Sequence, residues 1–188
     1  APAIVSPSLS LTYAELDARA NRIATRLRCE GVQRGELVGL AFDRTPDAIV
    51  AQLAVLKSGG AYVPLDVADP ASRIGALLQD AGVRIVLADA ASASHVPKEL
   101  ARTIVIDGGV DPLGPETAWP DAHDETPDDL AYVMFTSGST GRPRGWPPPR
   151  YPIGTSAAAI PIGSTEGHGV HQAAVFPKRV VAAFQFKR

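Results

Sequence analysis

The residues best suited to chemistry lie together near position 140. An apolar run, Leu130 to Phe135, leads directly into Thr136-Ser137-Gly138-Ser139-Thr140-Gly141-Arg142-Pro143-Arg144-Gly145. Glycines at 138, 141 and 145 permit positive φ and a close approach of backbone to a ligand. The hydroxyls of Thr136, Ser137, Ser139 and Thr140 add donors to those of the backbone N–H groups, and such a loop can wrap a polyphosphate. Arg142 and Arg144 add positive charge in a form that forks onto phosphate oxygens. The stretch is not the Walker-type P-loop, which ends in Gly-Lys-Ser/Thr, and its glycine spacing is not that of the dinucleotide fingerprint. On composition alone a plain Ser/Gly/Thr surface turn stands beside the phosphate loop as an alternative.

A loop of this kind needs elements to hold it, and residues 1–145 supply an alternation of helices and strands. Thr12 and Glu15 have capping-box spacing, with Leu16, Ala20, Ile23 and Leu27 following at helical period and Gly31 as the stop. Val38 to Phe42 reads as a short buried strand. Thr45-Pro46 opens a second helix, carried by Ile49, Leu53 and Leu56 and ended by Gly59-Gly60. Ala61 to Leu65 reads as a strand weakened by Pro64. Asp69-Pro70 starts a third helix with Ile74, Leu77 and Leu78 on one face and Gly82 beyond its end. Val83 to Leu87 and Thr103 to Ile106 are β-branched strand candidates, with a short helix expected between them near residues 93–100. After an acidic, proline-containing loop over 107–129, Leu130 to Phe135 is one more strand. Strands separated by helices predict an α/β layer fold, a largely parallel sheet flanked by helices.

Composition bounds the function. The 188 residues are 45% hydrophobic and 20% charged, with a net charge of −2, values of a globular chain rather than a disordered one. No apolar run approaches the roughly 18 residues of a membrane helix, and Ala1 to Leu11 lacks the basic start and apolar core of a signal peptide. The single cysteine, Cys29, excludes an internal disulfide and a multi-cysteine metal site, and points to a reducing, cytoplasmic setting. The near-neutral charge gives no sign of nucleic-acid binding. The average hides two unlike parts. Residues 1–145 carry 13 Lys/Arg and 19 Asp/Glu, whereas 146–188 carry 5 Lys/Arg and only Glu166. That tail has six prolines, three of them consecutive at Pro147, Pro148 and Pro149, which bar helix and interior strand from Trp146 to Pro152. It is expected to be irregular, and its abrupt change of composition suggests a frame change in a GC-rich coding sequence or a disordered end.

Three segments carry a family resemblance. Leu130-Ala131-Tyr132 with Thr136 to Gly145 resembles the phosphate-binding signature of the adenylate-forming (AMP-binding) enzymes. Leu11-Thr12-Tyr13-Ala14-Glu15-Leu16 resembles the motif that opens the family's N-terminal part. Val55 to Asp66, with Ala61-Tyr62-Val63-Pro64-Leu65-Asp66, resembles the second motif in the form typical of amino-acid adenylation domains of nonribosomal peptide synthetases. The motifs occur in family order over about residues 1–145. An acyl-CoA synthetase-type member, or a non-catalytic phosphate- or nucleotide-binding fragment, are the alternatives.

The resemblance implies a reaction. Family members join a carboxylate to ATP, giving an acyl-adenylate and pyrophosphate, with Mg accompanying the nucleotide. In this branch the adenylate passes to the phosphopantetheine thiol of a carrier protein, and the partners are therefore an amino acid, the remainder of the adenylation domain and that carrier. Thr136, Ser137, Gly138, Ser139, Thr140 and Gly141 would line the pyrophosphate path. Arg144 stands where the family usually has Lys, exchanging a point charge for a planar fork. The amino-acid pocket, the adenine-holding aromatic, the Mg-coordinating acid, the ribose-binding Asp and the catalytic Lys of the C-terminal domain all fall beyond Gly145 in the family. A 188-residue chain without them is expected to be a piece of a larger synthetase and inactive alone. The other polar residues read as structural: Lys57 as a cation at a helix end, Cys29 as packing, His95 and His123 as solvated, the acids of 121–129 as a solvated loop, and His168 and His171 as unsuited to metal beside Gly167 and Gly169.

Overall fold

The computed structural model describes residues 1–6, 9–43, 45–106 and 129–135, together with the backbone of 158–162 and 171–177. The chain opens with β1 (Pro2–Val5) and β2 (Ser10–Thr12), an antiparallel pair, and continues through α1 (Tyr13–Cys29), β3 (Leu37–Ala41), α2 (Pro46–Lys57), β4 (Ala61–Leu65), α3 (Ala71–Ala81), β5 (Ile85–Ala88), β6 (Arg102–Val105) and β7 (Leu130–Phe135). Two further strands, β8 (Ala158–Ile162) and β9 (His171–Pro177), lie in the tail, where the sequence reading expects irregular chain. The large sheet has the order β6-β5-β3-β4-β7-β9-β8. Its first five strands are parallel, and β9 and β8 add antiparallel at the far edge. The predicted parallel α/β layer is therefore the fold. The β1/β2 pair has no counterpart among the sequence-based expectations, because a three-residue strand is too short to show a period.

Residue alternation sorts the strands onto two faces. Val38 and Leu40 of β3, with Ile85 and Leu87 of β5, pack with α1 and α2. Ala41 of β3, Ala61, Val63 and Leu65 of β4, and Val86 and Ala88 of β5 pack with Ile74 and Leu78 of α3. Helices cover both faces, so the inner strands must be apolar throughout, which is why they read as continuous runs. The crossover β3-α2-β4 uses one face and β4-α3-β5 returns on the other, leaving β3 central with a neighbour from each crossover.

Local signals explain the helix limits. Thr12 accepts from the Glu15 N–H, and the Glu15 carboxylate accepts from the Thr12 N–H, so the capping box is complete. These bonds hold the Glu15 carboxyl below the usual carboxylate range. The predicted stripe of α1, Leu16, Ala20, Ile23 and Leu27, is buried, joined by Ala24. In α2 the buried stripe is instead Val50, Ala51, Ala54 and Val55, and Ile49 is exposed. That helix is apolar on most sides, so period alone could not choose its inner face; the small side chains of Ala51 and Ala54 face the core it shares with α1. Arg28 of α1 donates to the carbonyls of Lys57 and Ser58, satisfying the end of α2. Lys57 reaches back to Asp17 and Asn21 at 2.6 Å each, so its role is to tie the two helices together. Cys29, expected to pack, is exposed at the last residue of α1.

The helix expected near 93–100 is a single 3-10 turn, Ser92–His95. The Asp89 carboxylate starts it by accepting from the Ser92 N–H at 2.7 Å. Pro97 then forces Val96 to extended ψ, 122°, and ends it. The segment still packs: a Cβ on Gly75 of α3 would meet Leu100 at 3.0 Å, which explains a glycine in mid-helix. Among the described residues no helix is long and apolar enough to cross a membrane.

Central β3 leaves no room at Gly39, where a Cβ would lie 2.9 Å from Val86 Cγ2 and 3.1 Å from Leu65 Cδ1. Overpacking of a filled core costs about 1–3 kcal/mol. Gly39→Ala should lower unfolding free energy by that amount and Gly39→Val by more, read as the shift of urea midpoint at unchanged slope.

Candidate functional site

Five parallel strands end on one edge, at Ala41, Leu65, Ala88, Val105 and Phe135. The helices that follow β3 and β4 begin there too, α2 after Thr45 and α3 after Pro70. Helix N-termini carry unsatisfied N–H groups and partial positive charge, and that edge of an open α/β sheet is where ligands bind. β7 delivers the chain to this edge at Phe135, one residue before the glycine-rich segment. The residues singled out for phosphate, Thr136, Ser137, Gly138, Ser139, Thr140, Gly141 and Arg144, lie outside the described residues. So do His123 and His168, together with the side chain of His171.

Asp66, Asp69 and Asp89 at this edge shape its loops. Asp66 Oδ1 accepts from the Ala68 N–H at 2.9 Å, turning the chain after β4. Asp69 pairs with Arg73 at 3.1 Å in the first turn of α3. Asp89 follows β5, and its Oδ2 accepts from the Asp43 N–H at 3.3 Å, linking the ends of β5 and β3. Burial pushes the Asp89 carboxyl up, but hydrogen bonds from Ser92, Asp43 and Ala91 outweigh it and hold the group below the usual range. Among the described residues there is no group of three His, Cys, Asp or Glu that could hold a metal ion.

The opposite, amino edge is stapled by ion pairs that join elements far apart in sequence. Glu30, at the end of α1, meets both Arg26 and Arg102, the latter at the start of β6. Glu36, before β3, meets Arg84, before β5. Arg34 meets Asp129, the residue before β7, through two bonds: Nε to Oδ2 at 3.1 Å and Nη2 to Oδ1 at 2.6 Å. Asp129 is only 3% exposed, so the expectation of a solvated acid is corrected at this position. A carboxylate is stable there because the guanidinium fork answers both its oxygens. Its only sequence signal is an acid placed directly before an apolar strand, and nothing in the sequence marks Arg34, 95 residues away, as the partner.

β7 meets β4 through a pair of aromatic rings. Tyr62 and Tyr132 are in register and stack with centroids 5.2 Å apart and planes 13° from parallel. Burial, reinforced by the neighbouring Tyr132, pushes the Tyr62 phenol up to about 12, and burial raises Tyr132 as well. Both tyrosines belong to segments that resemble family motifs, and the structure brings those two segments side by side.

Comparison with known proteins agrees with this arrangement. The model of a family described as AMP-binding enzyme matches residues 1–152. A linear gramicidin synthase of Brevibacillus parabrevis is 46% identical over 143 residues, which are 76% of this chain and 2% of that protein. A crystal structure of the nonribosomal peptide synthetase FmoA3, in its alpha-methyl-L-serine-AMP bound form, superposes with a TM-score of 0.63 at 38% identity, over 72% of this chain and 15% of that one. A benzoate CoA ligase from Burkholderia xenovorans superposes at 0.60 with 28% identity, over 72% of this chain and 29% of that one. The chain thus spans a small share of the proteins it resembles, and its sheet is that of the N-terminal subdomain of the adenylate-forming fold.

The Tyr62 phenol sets a pH response. Its folded value lies above the ordinary value of 10, so the folded state holds the proton more tightly than the unfolded chain. The contribution is intact below pH 10 and is lost as pH rises from 10 through about 12. Tyr62→Phe should resist alkaline unfolding in that window better than the parent, as followed by circular dichroism, and phenolate absorbance should show one late-titrating tyrosine fewer.

Proposed function

This chain belongs to the AMP-binding enzyme family, and from that premise we propose that it carries the phosphate-binding part of an amino-acid adenylation domain. The observation that carries the reading is the continuity of β7 with the glycine and hydroxyl segment: the strand ends at the sheet edge that serves ligands, and Thr136 is the next residue. In the complete enzyme an amino-acid carboxylate attacks the α-phosphorus of ATP, and the bond to the β,γ-pyrophosphate breaks. Negative charge grows on the departing group, and donors already in place stabilise it better than mobile water does. Thr136, Ser137, Ser139 and Thr140 offer hydroxyls for this, Gly138 and Gly141 let the backbone approach, and Arg144 supplies a cation. Mg accompanies ATP in the complete enzyme, and the acyl-adenylate passes to the phosphopantetheine thiol of a carrier protein.

The amino-acid branch is favoured over acyl-CoA synthesis by identity, 38% to the peptide synthetase structure against 28% to the CoA ligase structure, and by the Ala61 to Asp66 form of the second motif. In the family the substrate pocket and the catalytic Lys follow the matched region, so with these 188 residues by themselves amino-acid-dependent exchange of labelled pyrophosphate into ATP should stay at background. Exchange above background, with any amino acid, overturns this part. Retention of weak phosphate affinity is a second, separable property. Calorimetric titration with pyrophosphate should show binding that Arg144→Ala weakens by about tenfold, the loss of one charge-assisted contact; equal binding by both chains would mark it as non-specific.

The composition changes after Gly145, and the family match runs to residue 152. Sequencing the coding DNA tests the proposed frame change: family motifs in another frame after codon 145 support it, and their absence from both other frames removes it.

A further inference from the structure

We propose that Arg34 and Asp129 form a positioning pair that sets the register of β7 against β4, and thereby the place at which the phosphate segment begins; the second half of this rests on the functional reading above. The ladder between β4 and β7 cannot do so alone. Its registered pair is Tyr62↔Tyr132, whereas β3 matches β4 at five residue pairs and β5 at four. The reason is Pro64. The Ala61 N–H donates toward β3, to the Glu36 carbonyl, so by alternation the N–H groups of Val63 and Leu65 point the same way and those of Tyr62 and position 64 point toward β7. Proline has no N–H to give, and the ladder toward β7 loses a rung there. Strands β9 and β8 do not compensate, because they attach to β7 on its other side and follow wherever it goes.

Arg34, by contrast, has a rigid base. It sits in the turn Gln33–Glu36, closed by Glu36 N–H to the Gln33 carbonyl at 3.0 Å, with Gly35 at a φ of 76°. The Gly35 N–H donates to Gly59, the Glu36 carboxylate accepts from Gln33, and the same carboxylate holds Arg84. From that base a bidentate fork fixes both oxygens of Asp129, which immediately precedes β7. A planar fork fixes direction as well as distance. Sliding β7 by one residue would displace the carboxylate by about 3.3 Å and turn its side chains to the wrong faces. The pair lies seven residues, about 23 Å of strand, from Thr136, so it acts on the loop only through β7.

The test is amide hydrogen exchange of the full 188-residue chain, read strand by strand, beside pyrophosphate titration. Arg34→Met should speed exchange in β7 by about tenfold while β3 changes by less than about twofold, and should weaken pyrophosphate binding by about fivefold. Arg34→Lys, which keeps the charge without the fork, should fall between the two. Should Arg34→Met fail to fold, Asp129→Asn removes the charge at constant shape and is read identically. Equal acceleration of β3 and β7 would mean a general stability role and overturns the proposal, as does an unchanged β7. If the parent chain binds no pyrophosphate but β7 responds alone, the functional reading fails and the register assignment stands.

Discussion

The central strand β3 is the constraint around which the described structure is arranged. It is hydrogen-bonded on both sides, to β4 and β5, and covered on both faces, by α1 and α2 on one and α3 on the other. From Val38 to Ala41 it is buried, so there its partners must supply the contacts. Gly39 marks how tight this is: Val86 and Leu65, from the two flanking strands, occupy the space a side chain would take. One crossover leaves β3 for β4 and the next leaves β4 for β5, in opposite directions and on opposite faces, and because these strands and β7 are parallel the starts of α2 and α3 share an edge with the end of β7.

The two edges of the sheet are built differently. At the amino edge Arg102–Glu30, Arg84–Glu36 and Arg34–Asp129 link β6, β5 and β7 to the segments around β3. Most of these pairs are partly exposed and worth little individually, but Arg34–Asp129 involves a carboxylate that could not be buried unpaired. At the carboxyl edge Asp66 and Asp89 bond to neighbouring N–H groups instead, shaping the turns from which the helices and the next strands depart. Rigid scaffold on one edge and shaped loops on the other is the division of labour that lets an α/β sheet carry a ligand site.

The family matches extend this picture without enlarging the chain. The AMP-binding enzyme family covers residues 1–152, and the peptide synthetases that resemble it are far longer. What the described structure contributes is the sheet whose strand β7 leads into the glycine-rich segment, with Tyr62 and Tyr132 packing two of the three family-like segments against each other.

Sequence by itself determined the kind of fold, the positions of most elements and the family. Those features rest on local rules: the Thr12–Glu15 box, Pro46 at a helix start, Gly82 at a helix end, and apolar runs long enough to count. Where two local readings competed, sequence could not choose. The stripe read for α2, Ile49, Leu53 and Leu56, is not the buried one because the helix is apolar on most sides, and the segment after Asp89 became one turn because Pro97 cut it short. Strand order, the burial of Asp129 and its pairing with Arg34 were decided only by tertiary structure. The physical reason is that a charge pair across 95 residues has no period and no spacing; it exists only once the sheet has brought its two ends together.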